Sequence, residues 1–273
     1  MFPDDFLDRI LGSSTTVTTA TGSPTKSLGS GSSTFPDAEC LQDMSIDALA
    51  DLIEDDSISS AFSGVAAPEV ASLLFHDAVQ RRLLLMGSQR QLRKPKILGF
   101  IEWDRECIEE LKLLAAEHDA CIHTNIAEFF KPELKEVIEQ LRLRPSLALE
   151  VLGPIVKAGN AVRGCARCVV HSTGKNMFKM CHLKVAKRHV AGTSCTAHSS
   201  QGNQLGALDE TILYFLAWCG LRIHLQEADV TQENVSGFPT GPLLVRMLGH
   251  LYFIEACDLD PTEFGQLDRT HTR

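Results

Sequence analysis

The sequence predicts an α/β fold with a parallel, doubly wound sheet. Two observations carry that expectation. Short β-prone runs alternate along the chain with longer segments of helical periodicity, which implies a parallel sheet covered on both faces. The chain has 273 residues and is 44% hydrophobic, enough for a full core, with one stretch of markedly different composition at its start.

The elements follow in order. Residues 11–35 are rich in Ser, Thr and Gly and poor in large apolar side chains, so they are expected to be disordered. Met44 to Ile53 has helical spacing with an acidic face; it could dock on the domain or bind a partner. Residues 1–56 are read together as an acidic, largely disordered tail. Ile58 to Phe62 is the first strand, and 68–87 the first long helix. Ile97–Ile101 is a strand and Asp104–Glu117 an amphipathic helix. Ala120–His123 is a strand and Lys131–Arg142 a helix. His189–Ala191 is a strand, Thr211–Leu225 a helix, Asp229–Gln232 a strand and Pro242–Leu248 a helix. In such sheets, function sits at the carboxyl ends of the strands.

Charge is unevenly placed. Residues 1–60 hold eleven acids against Arg9 and Lys26, which accounts for the whole net charge of −9. Residues 151–208 hold no acid, but they carry Lys157, Arg163, Arg167, Lys175, Lys179, Lys184, Lys187 and Arg188. This sign suits a polyanion docking beside whatever follows; a solvated basic face is the plainer reading. No apolar stretch approaches the ~20 residues that span a bilayer, and the acidic N-terminus does not read as a signal or transit peptide. Nine irregularly spaced cysteines point to free thiols in a reducing compartment.

Chemistry-bearing residues follow the strands. Phe62-Ser63-Gly64-Val65-Ala66 comes after the first; glycine there lets backbone approach a ligand, although a plain strand-to-helix turn would look alike. Glu102-Trp103-Asp104 closes the second. An acid there suits ribose hydroxyls and the aromatic suits stacking on a base; an N-cap at Asp104 beside a buried Trp103 is the alternative. Asn125-Ile126 closes the third. Cys195 lies in Val190-Ala191-Gly192-Thr193-Ser194-Cys195-Thr196-Ala197-His198-Ser199, followed by Gly202-Asn203-Gln204-Leu205-Gly206, Asp209 and Leu213-Tyr214-Phe215. Glu233-Asn234-Val235 begins 38 residues past Cys195. Separately, Cys165, Cys168, His171 and Cys181 could supply four zinc ligands, or be incidental thiols in an irregular basic segment inserted at about 145–188.

Together the Phe62, Glu102, Cys195 and Glu233 blocks resemble the catalytic core of the cytosine-5 DNA methyltransferases. The resemblance covers roughly residues 58–273. It implies a Rossmann-like S-adenosylmethionine-dependent methyltransferase sheet, incomplete at the C-terminus. Leu248 to Tyr252 looks like the family's next strand, and Phe264-Gly265 to Arg273 like the start of its arginine-bearing motif. The family's target-recognition region and closing C-terminal helix do not follow.

The resemblance also implies roles. Cys195 would attack carbon 6 of cytosine, its thiolate favoured by a helix N-terminus beside Arg188 and His198. Glu233, with Asn234, would hold a proton against N3, which requires a buried carboxyl. S-adenosylmethionine would lie against Phe62, Gly64, Ala66, Glu102, Trp103, Asn125, Ile126 and Leu213. The expected partner is DNA, or tRNA for the RNA-methylating branch of the family. Either the chain is a fragment, or a second polypeptide supplies the recognition region, or activity is lost; a DNA substrate would require nuclear placement. A catalytically silent, truncated regulatory paralogue is the rival expectation. The sequence departs from the family at Ala66 (second glycine), Ser194 (proline) and Asn125 (aspartate).

Overall fold

The structure, a computed structural model, describes residues 45–172, 179–199, 202–235 and 237–257. The Ser/Thr/Gly-rich segment 11–35, Lys175 and the stretch Phe264–Arg273 lie outside them. The strands are β1 (Ser57–Ala61), β2 (Lys96–Ile101), β3 (Cys121–His123), β4 (Cys165–Arg167), β5 (Met180–His182), β6 (Arg188–Gly192) and β7 (Asp229–Glu233). Five of them form one sheet in the order β3-β2-β1-β6-β7, with every pairing parallel. β4 and β5 form a separate antiparallel hairpin in the insert.

The helices are α1 (Ile46–Ile53), α2 (Ala67–Leu85), α3 (Arg105–His118), α4 (Lys135–Leu143), the short α5 (Ala148–Val151) and α6 (Gly153–Lys157), α7 (Thr211–Leu225) and α8 (Arg246–Leu248). Among the described residues no helix is long and apolar enough to cross a membrane.

Strand parity explains the two layers. Successive side chains point to opposite faces. Ile58, Ile97, Phe100 and Ile122 therefore pack with Ile108, Leu111 and Ala115 of α3. Ala61, Ile101 and Ala191 pack on the other face with α7. Ile97 and Phe100 share a face because β2 carries one extra residue where the register slips between Ile58 and Ser59. Helix α7 is apolar on nearly every face and, Tyr214 apart, buried from Ile212 to Ile223, so it is the centre of its layer rather than a surface helix.

Several expectations change in the structure. Helix α1 docks on α2 through Ala50, Ile53, Val79 and Leu83, so the ordered body begins before residue 56. Ser45 caps it by accepting from the Ala48 N–H at 3.2 Å. The front of the insert is not irregular: Ala148, Leu152, Ile155 and Val156 belong to the main core. Leu248–Tyr252 is not a strand. The Leu248 carbonyl accepts from Leu251 and Tyr252, which turns the chain back at the end of α8. Helix α2 is periodic, but its buried stripe is Glu69, Ser72, His76, Val79 and Leu83. Val70, Leu74 and Phe75 of the same helix are exposed.

Candidate functional site at the carboxyl ends of the strands

The strand order reverses between β1 and β6, and a ligand crevice is expected beyond their carboxyl ends. The loops after β1, β2, β6 and β7 meet there. After β1 the backbone is left-handed at Phe62 (φ 55°), Gly64 (φ 51°) and Ala66 (φ 63°). A Cβ at Gly64 would meet no atom within 4 Å, so this turn has open space beside it. Ala66 is 2% exposed and holds a conformation that glycine adopts at less cost.

Glu102 joins two of these loops. Its Oε2 accepts from the Gly64 N–H at 2.7 Å, and its Oε1 accepts from Trp103 N at 2.7 Å and Asp104 N at 2.8 Å. The carboxylate is thus already bound to three backbone donors, which leaves acceptor room chiefly at Oε2. Asp104 caps α3 by accepting from Glu106 N and Cys107 N. Those backbone bonds, that from Cys107 above all, hold its carboxyl below the usual range against the cost of burial. Trp103 is not buried: it is 74% exposed, an aromatic face free to stack. Asn125 spends its side chain capping the next turn, accepting from Ala127 N at 2.9 Å. Ile126 and Leu213 lie in the core, at 4% and 2% exposure, so they shape the site without facing it. On α7 the residues turned to the pocket near Phe62 are Thr211, Ile212, Tyr214 and Phe215.

The β6–β7 register carries the rest. Gly192 pairs with Glu233, and a Cβ at Gly192 would sit 3.5 Å from Glu233 Oε2 and 3.6 Å from the Phe62 carbonyl. Gly192 thus lies within van der Waals reach of both the Glu233 carboxylate and the Phe62 carbonyl. Asn234 fastens β7 to the Cys195 loop: its Nδ2 donates to the Thr193 carbonyl at 3.0 Å and to Thr193 Oγ1 at 2.9 Å. Gln232 Nε2 donates to Thr193 Oγ1 at 2.6 Å. Cys195, two residues past Thr193, is exposed. Its carbonyl accepts from His198 N at 2.9 Å and Ser199 N at 2.8 Å, closing a tight turn. The loop then folds on itself, with Asn203 N bonded to the Thr196 carbonyl and Gly206 N to that of Ala197. Asp209 accepts from Asn203 Nδ2 at 2.6 Å and Thr211 N at 2.9 Å. Burial alone would raise its carboxyl, but these bonds outweigh it and hold it low.

Four site expectations are corrected. Arg188 stands at the amino end of β6, four residues before Gly192, or about 13 Å along a strand. It pairs there with Asp56, its Nε 3.1 Å from Oδ1 and its Nη2 against Oδ2, so it cannot act on Cys195. His198 is held below its usual pKa by burial, in spite of Asp209, and so is neutral near pH 7. The helix after the loop starts only at Thr211, too far on to favour a thiolate. Glu233, expected to be buried, is exposed.

The basic stretch is also partly spent. Arg167 pairs with Glu128 at 2.6 Å, Arg163 donates to the Glu128 carbonyl, and Lys187 donates to the Glu54 carbonyl.

Of the proposed metal ligands, Cys168, His171 and Cys181 converge, and Cys165 does not join them. Cys165 pairs across the hairpin with His182, whereas Cys181 pairs with Ala166; alternation puts Cys165 on the opposite face. Cys121, from β3, takes its place. Crowding sets these thiols apart: Cys168 is lowered to about 4, chiefly by the Cys121 thiol donating to it. The same contact, with burial, pushes Cys121 up.

No protein-family model matches the chain, and no curated protein matches it.

Proposed function

We propose that this chain is a cytosine-5 methyltransferase core acting on DNA, with S-adenosylmethionine as its methyl donor. The observation that carries the reading is the Gly192–Glu233 pairing, which sets the Glu233 carboxylate beside Phe62 and at the root of the loop bearing an exposed Cys195. A thiol on the loop after β6 and an acid at the end of the adjacent parallel β7, opening on the crevice where a cofactor would lie, are what addition to cytosine needs.

The cofactor's fit rests on the open left-handed turn at Gly64 and the bare face of Trp103. Glu102 holds these two loops together, with Oε2 left to accept from a ribose hydroxyl. When bound, S-adenosylmethionine supplies the methyl group for carbon 5. The chain's own residues do the remainder. Cys195 adds to carbon 6 of a base turned out of the duplex. Glu233 hydrogen-bonds N3 and supplies the proton that makes the ring a better acceptor. Asn234 keeps the Thr193–Cys195 segment at a fixed distance from Glu233. After methyl transfer, water takes the carbon 5 proton, the Cys195 thiolate leaves, and N3 returns its proton to Glu233, which restores the ring.

Duplex DNA containing 5-fluorocytosine tests this, with S-adenosylmethionine added. Fluorine cannot leave as a proton does, so the adduct persists on the thiol. A denaturation-resistant complex that disappears in Cys195→Ala is the expected result. A complex with the matching RNA alone would assign the tRNA branch instead. No complex with either, in folded protein, would replace the enzyme reading with that of a silent regulatory paralogue.

A further inference from the structure

Cys121, Cys168, His171 and Cys181 form a closed cluster that methyl transfer does not use. We propose that it is a structural zinc site of the Cys3His type, which pins the inserted hairpin to the edge of the sheet. The four donor atoms lie within 4.8 Å of one another. His171 Nδ1 stands 3.5 Å from Cys121 Sγ, 3.3 Å from Cys168 Sγ and 3.6 Å from Cys181 Sγ.

Hydrogen bonding does not account for this. An imidazole nitrogen has one lone pair or one proton, so it can serve one thiol and not three. A tetrahedral zinc accounts for all three distances: with Zn–S about 2.3 Å and Zn–N about 2.0–2.1 Å, the N···S edges come to about 3.5 Å. Three thiolates and an imidazole are a soft set that favours zinc over magnesium or calcium. Four protein ligands leave no open position, as in structural sites.

The surroundings fit a metal ligand sphere. The other ring nitrogen of His171, Nε2, lies 3.3 Å from Asp119 Oδ1, the outer partner that fixes a liganding histidine's tautomer. Cys121 and Cys168 are buried, and His171 and Cys181 half-buried. Backbone bonds preset the approach: Val169 N donates to the Ile122 carbonyl at 2.9 Å, and Cys168 N to that of Lys179 at 3.0 Å. The ligands come from β3, the β4–β5 turn region and β5, so one ion closes the edge strand onto a hairpin that begins about forty residues later. β3 lies three strands from β6, about 14 Å at sheet spacing, so the ion takes no part at Cys195.

The test uses the full chain, purified without chelator and analysed for metal by mass spectrometry. About one zinc per chain is expected. Cys165→Ser should keep it and Cys121→Ser should lose it. Because Cys121→Ser could also unfold the edge strand, Asp119→Asn gives a second readout: a folded protein with zinc affinity lowered about tenfold or more. Cobalt exchanged into wild type and Cys165→Ser should give one identical tetrahedral, three-thiolate spectrum. Folded wild-type protein without zinc, a disulfide among the three cysteines, or a cobalt spectrum altered by Cys165→Ser would each overturn the proposal.

Discussion

Gly202→Ala puts the Cys195 loop to a geometric test. A Cβ built on Gly202 falls 1.8 Å from the Thr196 carbonyl oxygen, 2.7 Å from its carbon and 3.0 Å from Ser199 Oγ. Non-bonded heavy atoms are most favourable at about 3.5–4.0 Å, so the methyl group and the Thr196 backbone must separate by more than an ångström. Thr196 follows Cys195 directly, and the displacement has no flexible side chain to absorb it. A reacting group misplaced by about 1 Å costs roughly 100-fold in rate.

Gly206, four residues on, separates sterics from conformation. A Cβ on Gly206 would meet no atom within 4 Å, but its backbone holds φ +56°. Gly206→Ala should therefore cost only the left-handed penalty of about 1–2 kcal/mol, and Gly206→Asn, which tolerates that region, less. The assay is single-turnover trapping on 5-fluorocytosine DNA, alongside thermal unfolding and alkylation of Cys195 in the native protein. Gly202→Ala should trap about 100-fold more slowly with unfolding almost unmoved. Trapping and alkylation both at the wild-type rate would show that the loop is not folded on Thr196, and the reasoning from it would fail.

Three further outcomes follow from the same geometry. Asn234→Ala removes both bonds to Thr193 while leaving Glu233, and trapping should slow about 10- to 100-fold, in line with the loss of about 1–3 kcal/mol of hydrogen bonding. Glu227 and Arg222 form an ion pair at 2.6 Å with side chains 0% and 1% exposed; Glu227→Ala strands the guanidinium beside Trp218 and should cost about 3–5 kcal/mol in urea unfolding. His189 accepts from Trp218 Nε1 at 3.1 Å and bonds Ser59 Oγ at 2.9 Å, and burial, then Arg222, pushes it well below its usual pKa. The unfolded chain takes up a proton below about pH 6.5 that the fold refuses, so stability falls as pH drops. The slope from this group reaches about 1.4 kcal/mol per pH unit, and His189→Gln should flatten the acid side of the profile by that amount.

What the sequence made legible was what depends on local pattern. Helix α7 is apolar from Ile212 to Leu221, and the strands are short β-prone runs with small or polar ends, so their order and their carboxyl-end residues could be read directly. What was hidden depends on direction and on distant partners. The charge of Arg188 is plain in the sequence, but only the parallel direction of β6 puts it at the far end of the sheet, facing Asp56. Cys121 has His118 and His123 as its local neighbours, but neither is in the cluster; the bond from Val169 N to the Ile122 carbonyl brings it to His171 instead. Cys165 has the right local spacing and the wrong hairpin parity. Helix α2 was legible as a helix and misleading as to its face, because its inward stripe begins with Glu69, Ser72 and His76.

The exposure of Glu233 bears most directly on the proposed chemistry. A carboxyl that hands a proton to N3 must be shielded from water, and in the free protein it is not. Gly192 and the Phe62 carbonyl flank it, and its remaining side is exposed. The missing shield has the position of the substrate: a base turned out of the duplex and held over Cys195 would close that side and exclude water at the moment the proton is needed. Glu233 in the free protein should then react with a water-soluble carbodiimide and amine, found by mapping the modified peptide. S-adenosylmethionine alone should slow this little, and 5-fluorocytosine DNA should protect it about tenfold or more once the adduct forms. Glu233→Gln should retain DNA binding and lose trapping. Modification that proceeds equally fast in the trapped complex would mean that the base does not cover Glu233, and would remove it as the proton donor while leaving Cys195 as the nucleophile.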